Sequence, residues 1–321
     1  GLNVYAEQPT TARIPSGAHG NFRFQGTYSG EAYADFLLGI PDQTTVTPPS
    51  PNFYMRSTNY GLFFQDDFKI RPNLTLNLGI RWDYQGPIYN KNDALFNFDL
   101  ATGGLIKAAS GTPVNGAFAQ RYPQVRILEA SAAGLPERNL HFADKNNFAP
   151  RFGFAWRPGN WSSFVVRGGW GKFTDIVGQG VFELFATGGF LNQGDLVFAN
   201  ARAVQGILPA TAFKFPDPFP AVRTRETAAG LTAGGFNPRL ANPYVQQWNL
   251  TLEKSFLDIS LRATYVGTKS TNLIYRRDVN QRVIAGADSS RPYQTKGFSS
   301  GILYLDNGGN QIYHGLQLKA T

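Results

Sequence analysis

The chain has 321 residues, of which 14% are aromatic and only 16% charged, with 35 glycines and no cysteine. An average soluble domain carries about 25% charged residues, so the balance disfavours an ordinary cytosolic enzyme, and the missing cysteines exclude disulfides, thiol nucleophiles and thiolate metal sites. The net charge of +8 comes from scattered Lys and Arg without a basic run, so nucleic acid is not expected as a partner.

In chain order, the first predicted element is a short helix over 29–41, with Ser29 as its N-cap and Gly39 and Pro41 as its stop. A strand follows from Asn59 to Ile70, with Tyr60, Leu62 and Phe64 on one face and Asn59, Gly61, Phe63 and Gln65 on the other; Phe63 blurs its alternation. Arg71-Pro72-Asn73 then turns the chain into its most regular segment. From Leu74 to Tyr84 every even position is large and apolar (Leu74, Leu76, Leu78, Ile80, Trp82, Tyr84), and every odd one is polar, charged or Gly. Strand side chains alternate faces with that period. A soluble strand usually runs about five or six residues, whereas a tilted strand crossing a bilayer needs roughly nine to eleven. The length favours the membrane. No apolar run reaches about 18 residues, so a transmembrane helix is excluded.

Phe96 to Asp99 and Gly104 to Lys107 read as a hairpin around Ala101-Thr102-Gly103. A second long pair sets Phe152, Phe154 and Trp156 before a turn at Pro158-Gly159-Asn160, with Phe164, Val166, Gly168 and Trp170 on the return. A third sets Trp248, Leu250 and Leu252 against Leu261, Ala263 and Tyr265, joined near Phe256-Leu257-Asp258. Leu316 and Leu318 alternate with Gln317 and Lys319 in a last strand.

Links within pairs are short; those between pairs, roughly Asn90 to Asn147, Asp175 to Asn242 and Ser270 to Asn310, are long. Loops beyond about 15 residues are uncommon in compact soluble domains. Short turns alternating with long loops are the asymmetry of outer-membrane barrels; a soluble β-sandwich with insertions would not need three oversized loops at one end. The expected fold is an all-β antiparallel transmembrane barrel segment. The chain opens at Gly1 without a signal peptide and ends within an alternating run, so a segment of a longer exported protein is expected.

Charges facing lipid at mid-bilayer cost roughly 2–4 kcal/mol for Arg or Lys. Arg81, Asp83, Arg151, Arg167, Glu253, Arg262 and Lys319, opposite the apolar bands, are therefore expected to face the lumen. Trp82, Tyr84, Trp156, Trp170, Trp248 and Tyr265 are candidates for interfacial aromatic girdles. Phe182, Phe185, Phe190 and Phe198, with Phe213, Phe215 and Phe219, form an aromatic-rich stretch that could capture ligand or pack on its neighbours.

No catalytic constellation, cofactor or metal site is expected. His19, His141 and His314 lack metal-ligand spacing and read as surface or loop residues. Asp66 and Asp67 face opposite sides of a strand near the short-turn rim. Gly168-Gly169-Trp170-Gly171 lies in a strand with no following helix, against a phosphate cradle. Asp306 to Asn310 is oxygen-rich but reads as a solvated turn rather than a calcium loop.

The segments Ala34-Asp35-Phe36-Leu37-Leu38-Gly39, Phe64-Gln65-Asp66-Asp67-Phe68-Lys69, Leu74 to Trp82, Asp144 to Phe154, Val166 to Gly171, Asn242 to Leu250 and Tyr265-Val266-Gly267 together resemble the barrel of Oar-like TonB-dependent receptors, from about residue 20 onward. The resemblance implies a 22-stranded outer-membrane barrel in a Gram-negative-type bacterium, of which this chain would be a part, plugged by an N-terminal domain and coupled to the TonB complex. The plug, the TonB box and the N-terminal carboxypeptidase-regulatory-like domain are not recognisable in residues 1–321. It further implies outer-membrane lipid, the receptor's own plug and a large solute as partners, and uptake of that solute as the function. A structural or adhesive surface barrel without transport is the alternative.

Overall fold

The computed structural model describes residues 1–11, 19–46, 53–93, 95–108, 122–159, 163–178, 196–200, 212–219, 227–228, 233–257 and 259–321. Within these residues, eight strands stand side by side: β1 (Leu2–Glu7), β2 (Phe53–Arg71), β3 (Leu74–Gln85), β4 (Phe148–Trp156), β5 (Phe164–Thr174), β6 (Tyr244–Phe256), β7 (Ile259–Asp278) and β8 (Ile302–Ala320). Each pairs antiparallel with the next in chain order, giving an up-and-down wall that does not close on itself. One α-helix, α1 (Ala32–Leu37), lies outside it, and no helix of the described residues is long and apolar enough to cross a membrane.

The registers carry the alternation from strand to strand. Leu62 stands opposite Trp82 and Phe64 opposite Ile80; Phe152 lies opposite both Leu78 and Trp170; Trp170 meets Trp248, and Leu250 meets Tyr265. One face is thereby mainly apolar and the other mainly polar; Asp66, Lys254 and the row Lys172, Gln246 and Lys269 interrupt the apolar one. β1, not foreseen from sequence, obeys the same pattern, with Leu2 opposite Leu62 and Val4 opposite Tyr60.

Three local expectations need correction. The connection expected over Ser270 to Asn310 is shorter than that at both ends: β7 runs on to Asp278 and β8 begins at Ile302, leaving 279–301 between them. A register shift between Ser270 and Leu273, with Asn272 at φ +58°, breaks the alternation there, and a bulge of that kind hides a continuing strand from any period-of-two reading. The expected turn at Asp306 to Asn310 therefore lies inside β8. Ser29 does not cap α1, which starts after Glu31 without a side-chain cap. The bonding is reversed: Asp35 accepts the Ser29 hydroxyl at 2.7 Å and the Ser29 and Tyr28 amides at 2.8 and 3.2 Å. Gly39, at φ +68°, ends the helix as expected. The Phe96–Asp99/Gly104–Lys107 hairpin forms with the foreseen bounds, with Ile127–Glu129 added alongside in parallel.

The connections 72–73, 157–163 and 257–258 lie at one end of the wall, and 8–52, 86–147, 175–243 and 279–301 at the other. The buried core sits among the long ones. Met55, Ile274 and Leu305, from the upper reaches of β2, β7 and β8, pack with Ile88, Leu95, Leu140, Phe236 and Leu240, and Phe96, Phe98, Leu105, Phe298 and Ile302 form an adjoining cluster. The wall shows the opposite: Leu316 and Leu318 are 68% and 74% exposed. The described parts of the long connections thus form a cap with a conventional core, on a wall whose apolar residues are exposed.

Buried asparagines hold this cap together. The Asn97 Oδ1 accepts the Phe236 amide at 2.8 Å and its Nδ2 donates to the Phe236 carbonyl at 2.9 Å, joining the first long connection to the strand Ala233–Phe236, which pairs with β8. Asn280 donates to the carbonyls of Phe298 and Ser300 and accepts the Tyr293 amide. Asn200 bridges Pro41 and Phe213 in the same way. Buried loop backbone has no ladder partner, and a primary amide supplies both a donor and an acceptor to replace it. Asn97→Ala orphans both polar groups of Phe236; it should cost about 2–4 kcal/mol locally, measured as faster hydrogen exchange at Phe236 with exchange in β3 to β6 unchanged.

Candidate functional site: the polar face of the wall

All seven charged residues singled out from the sequence share one face. Arg81 and Asp83 stand on β3, Arg151 on β4 opposite Gly79 and Gly171, Arg167 on β5, Glu253 on β6 opposite Arg262 of β7, and Lys319 on β8 opposite Arg262. They fall into two groups. Near the short turns, the Glu253 carboxylate takes Arg262 at 3.1 Å and Arg167 at 3.5 Å, with Lys319 in the next register position. One anion pairs with two cations there, with a third beside them.

Nearer the long connections, Arg81 donates from Nε and Nη2 to both oxygens of Asp83, at 2.7 and 2.6 Å. The fork lies over Gly61, where any Cβ would collide with the guanidinium. Phe63, which blurs the alternation of β2, lies under Arg81 at 5.8 Å, and Phe173 lies under Arg151 at 4.6 Å. Aromatic rings on a polar face are thus explained as cation–π platforms. Asn3, Phe63, Gln65, Gly79, Arg81 and Arg151 line a recess of about 420 Å³ on this side.

The six candidate girdle aromatics share the other face, but the structure does not gather them into one belt. Trp82 and Tyr84 stack at 6.0 Å beside Tyr60 and Phe148, toward the long connections, and the Trp82 indole donates to the Lys145 carbonyl at 3.0 Å. Trp170 and Trp248 are register partners further along the wall, with Tyr265 two positions nearer the short turns. Trp156 ends β4 at the short-turn end. Gly168, on this face, is covered by the Phe154 ring and Gly267 by Trp248, so ring-over-glycine packing accounts for part of the Gly-rich run. Among the loop aromatics, Phe182, Phe185 and Phe190 lie outside the described residues, and Phe198 belongs to the strand Leu196–Ala199, paired with Gln43–Val46. Phe213 is buried, while Phe215 and Phe219 pack on Phe22 at 5.0 and 5.9 Å.

His314 and His141, both read as surface or loop residues, are an exposed residue of a strand and a buried residue of a connection. His314 lies within β8 on the apolar face, its Nδ1 2.7 Å from the Tyr265 hydroxyl. His141 belongs to a connection but is only 7% exposed, with its ring edge-on to Phe236. Its Nδ1 meets the Asn139 carbonyl at 2.8 Å, and its Nε2 accepts the Ile88 amide at 3.4 Å. That pairing requires the neutral ring protonated on Nδ1, a tautomer assigned from the bonding. No period or spacing marked it, because its partners are backbone groups remote in sequence.

Glu253→Gln leaves three cations facing one another, and is expected to lower stability in micelles by about 1 kcal/mol, read as an earlier urea midpoint. Lys319→Gln should leave that midpoint unchanged or raise it. Burial pushes the His141 imidazole below its ordinary value, against the pull of the Asn139 carbonyl. An unfolded histidine titrates near pH 6.5; below that, the unfolded chain binds a proton that the folded site resists, so stability falls with pH. Exchange at the Ile88 amide, corrected for its intrinsic pH dependence, should accelerate between pH 7 and about pH 5, and stay flat in His141→Asn.

The family model for the outer membrane beta barrel domain matches residues 1–321. Among solved structures, the chain is similar to the hemophore receptor HasR of Serratia marcescens, with 12% identity, 100% of this chain and 40% of that one covered, and a TM-score of 0.37. It is also similar to the FrpB iron transporter of Neisseria meningitidis, at 10% identity, 99% and 30% coverage and a TM-score of 0.36. A third is the alcaligin outer membrane receptor FauA of Bordetella pertussis, at 12%, 87% and 31%, with a TM-score of 0.32. The chain spans less than half the length of each. No curated relative matches it. With its whole length matched by the family model, the chain belongs to the outer membrane beta barrel domain family and is a protein of the outer membrane.

Proposed function

We propose that this chain is part of the wall and the extracellular cap of a TonB-dependent receptor of the Oar-like type, and that the receptor imports a large solute. The observation that carries the reading is the two-faced wall. Apolar side chains continue on one face through all eight strands, while the Arg81–Asp83 and Arg167–Glu253–Arg262 groups stand on the other. Charge on the lipid side costs several kcal/mol at mid-bilayer, and most of the charged residues of the wall, including both ion-paired groups, stand on the polar face, so we assign that face to the lumen. There, Arg81, Asp83, Arg151, Arg167, Glu253, Arg262 and Lys319 form a surface against which a plug can dock and pair.

The open edges at β1 and β8 would leave backbone groups unpaired within hydrocarbon, so further strands complete the barrel. Long connections face outward and short ones the periplasm, as in barrels of this kind. The cap, folded around its own core, is placed to meet solute first, and loop aromatics such as Phe198 are its candidate contacts. Plug and TonB partners belong to the whole receptor.

In the native host, in-frame deletions of the full gene and of TonB are compared for uptake of labelled ferric siderophore, oligosaccharide, cobalamin and oligopeptide. Import predicts that uptake of at least one is lost in both strains. Unchanged uptake of all four, with surface attachment lost on deletion of the gene, would replace it by the adhesive reading.

A further inference from the structure

The apolar face carries one feature that a lipid-facing surface alone does not require. Across four adjacent strands, Trp170, Trp248, Gly267 and His314 form one register row. The next row toward the long connections is Lys172, Gln246, Lys269 and Ile312. Two ammonium groups and an amide therefore stand side by side immediately above a row of rings, on the side of the wall that faces lipid. Neither lysine forms an ion pair with a carboxylate among the described residues, and no acidic residue shares this face of β5 to β8 between the short turns and this row. The Lys172 Nζ rests over the Tyr244 ring at 4.4 Å, while Lys269 is exposed.

Depth places the row at an interface. From Ile259, at the short-turn end, to Lys269 is ten residues, and a strand rising about 3.4 Å per residue and tilted by about 40° climbs about 26 Å over that span. The apolar band of an outer-membrane barrel is about 25 Å tall. Lys172 and Lys269 therefore reach the outer edge of the hydrocarbon, at headgroup level. Two strand spacings set their backbones about 10 Å apart, within reach of two phosphates on one headgroup or of one phosphate between them. Trp170, Trp248, Tyr265 and His314 below can cover the first carbons of acyl chains, as interfacial rings do.

We propose that Lys172, Gln246 and Lys269 form a site on the outside of the wall for the phosphorylated headgroup of an outer-leaflet glycolipid. The lysines neutralise phosphate, Gln246 donates an amide hydrogen bond to it, and the aromatic row seats the chains. The site rests on the outward orientation of the long connections and not on transport.

The test uses full-length protein in non-ionic micelles, with binding measured by native mass spectrometry and by fluorescence change. The probes are bis-phosphorylated lipid A, its dephosphorylated form, phosphatidylglycerol and inorganic phosphate. The parent should prefer bis-phosphorylated lipid A over the dephosphorylated form by at least tenfold. Lys172→Gln/Lys269→Gln should abolish that preference without changing binding of the dephosphorylated lipid, and Lys172→Arg/Lys269→Arg should restore it. No preference in the parent, or an unchanged preference in the glutamine pair, overturns the site. Equal binding of phosphatidylglycerol overturns the outer-leaflet assignment, and equal competition by inorganic phosphate overturns the lipid one. Because solute uptake enters none of these measurements, failure here is distinct from failure of the import reading.

Discussion

The constraint on which everything else depends is the pairing of backbone N–H and C=O groups between neighbouring strands. In hydrocarbon those groups have no water to turn to, and each left unpaired costs several kcal/mol. The antiparallel registers from β1 to β8 satisfy them sideways, leaving each strand's two faces free to meet different solvents. Because the side-chain period is two, a slip of one residue anywhere would carry Arg81 or Arg167 to the apolar face. Turns as short as 72–73 and 257–258 keep neighbouring strands in phase.

The same constraint explains where the core lies. A wall one strand thick has no interior, so its leucines remain exposed unless lipid covers them. Interior packing begins where β2, β7 and β8 outrun the membrane and their upper residues meet the long connections. Irregular backbone buried there needs partners of its own. Asn97, Asn200 and Asn280 provide them, each bonding backbone groups of segments remote in sequence.

Charge on the polar face is arranged rather than merely tolerated. Arg81 grips Asp83 two positions along its own strand, over a glycine and beside a phenylalanine. Glu253 joins three strands through Arg167 and Arg262. Arg167 and Arg262 are about half exposed, so water screens their pairing with Glu253 and each pair is worth little to folding. Their surplus of positive charge is available to whatever occupies that side.

The amino-acid sequence by itself determined seven of the eight strands of the wall, their two faces, and which of the seven charged and six girdle residues share a face. It could do so because the period of two is a local property, visible in Leu74 to Tyr84 without knowledge of any neighbour. It also showed where the long connections fall, apart from 8–52. Beyond the bulge at Ser270–Leu273 the period failed, and a strand was taken for a loop. Only the tertiary structure decided that the long connections share one core, that His141 is buried, and that Phe63 carries Arg81. It alone aligned Lys172 with Lys269 through Gln246. Each of these depends on register or contact between segments far apart in the chain, and no local periodicity encodes such contacts.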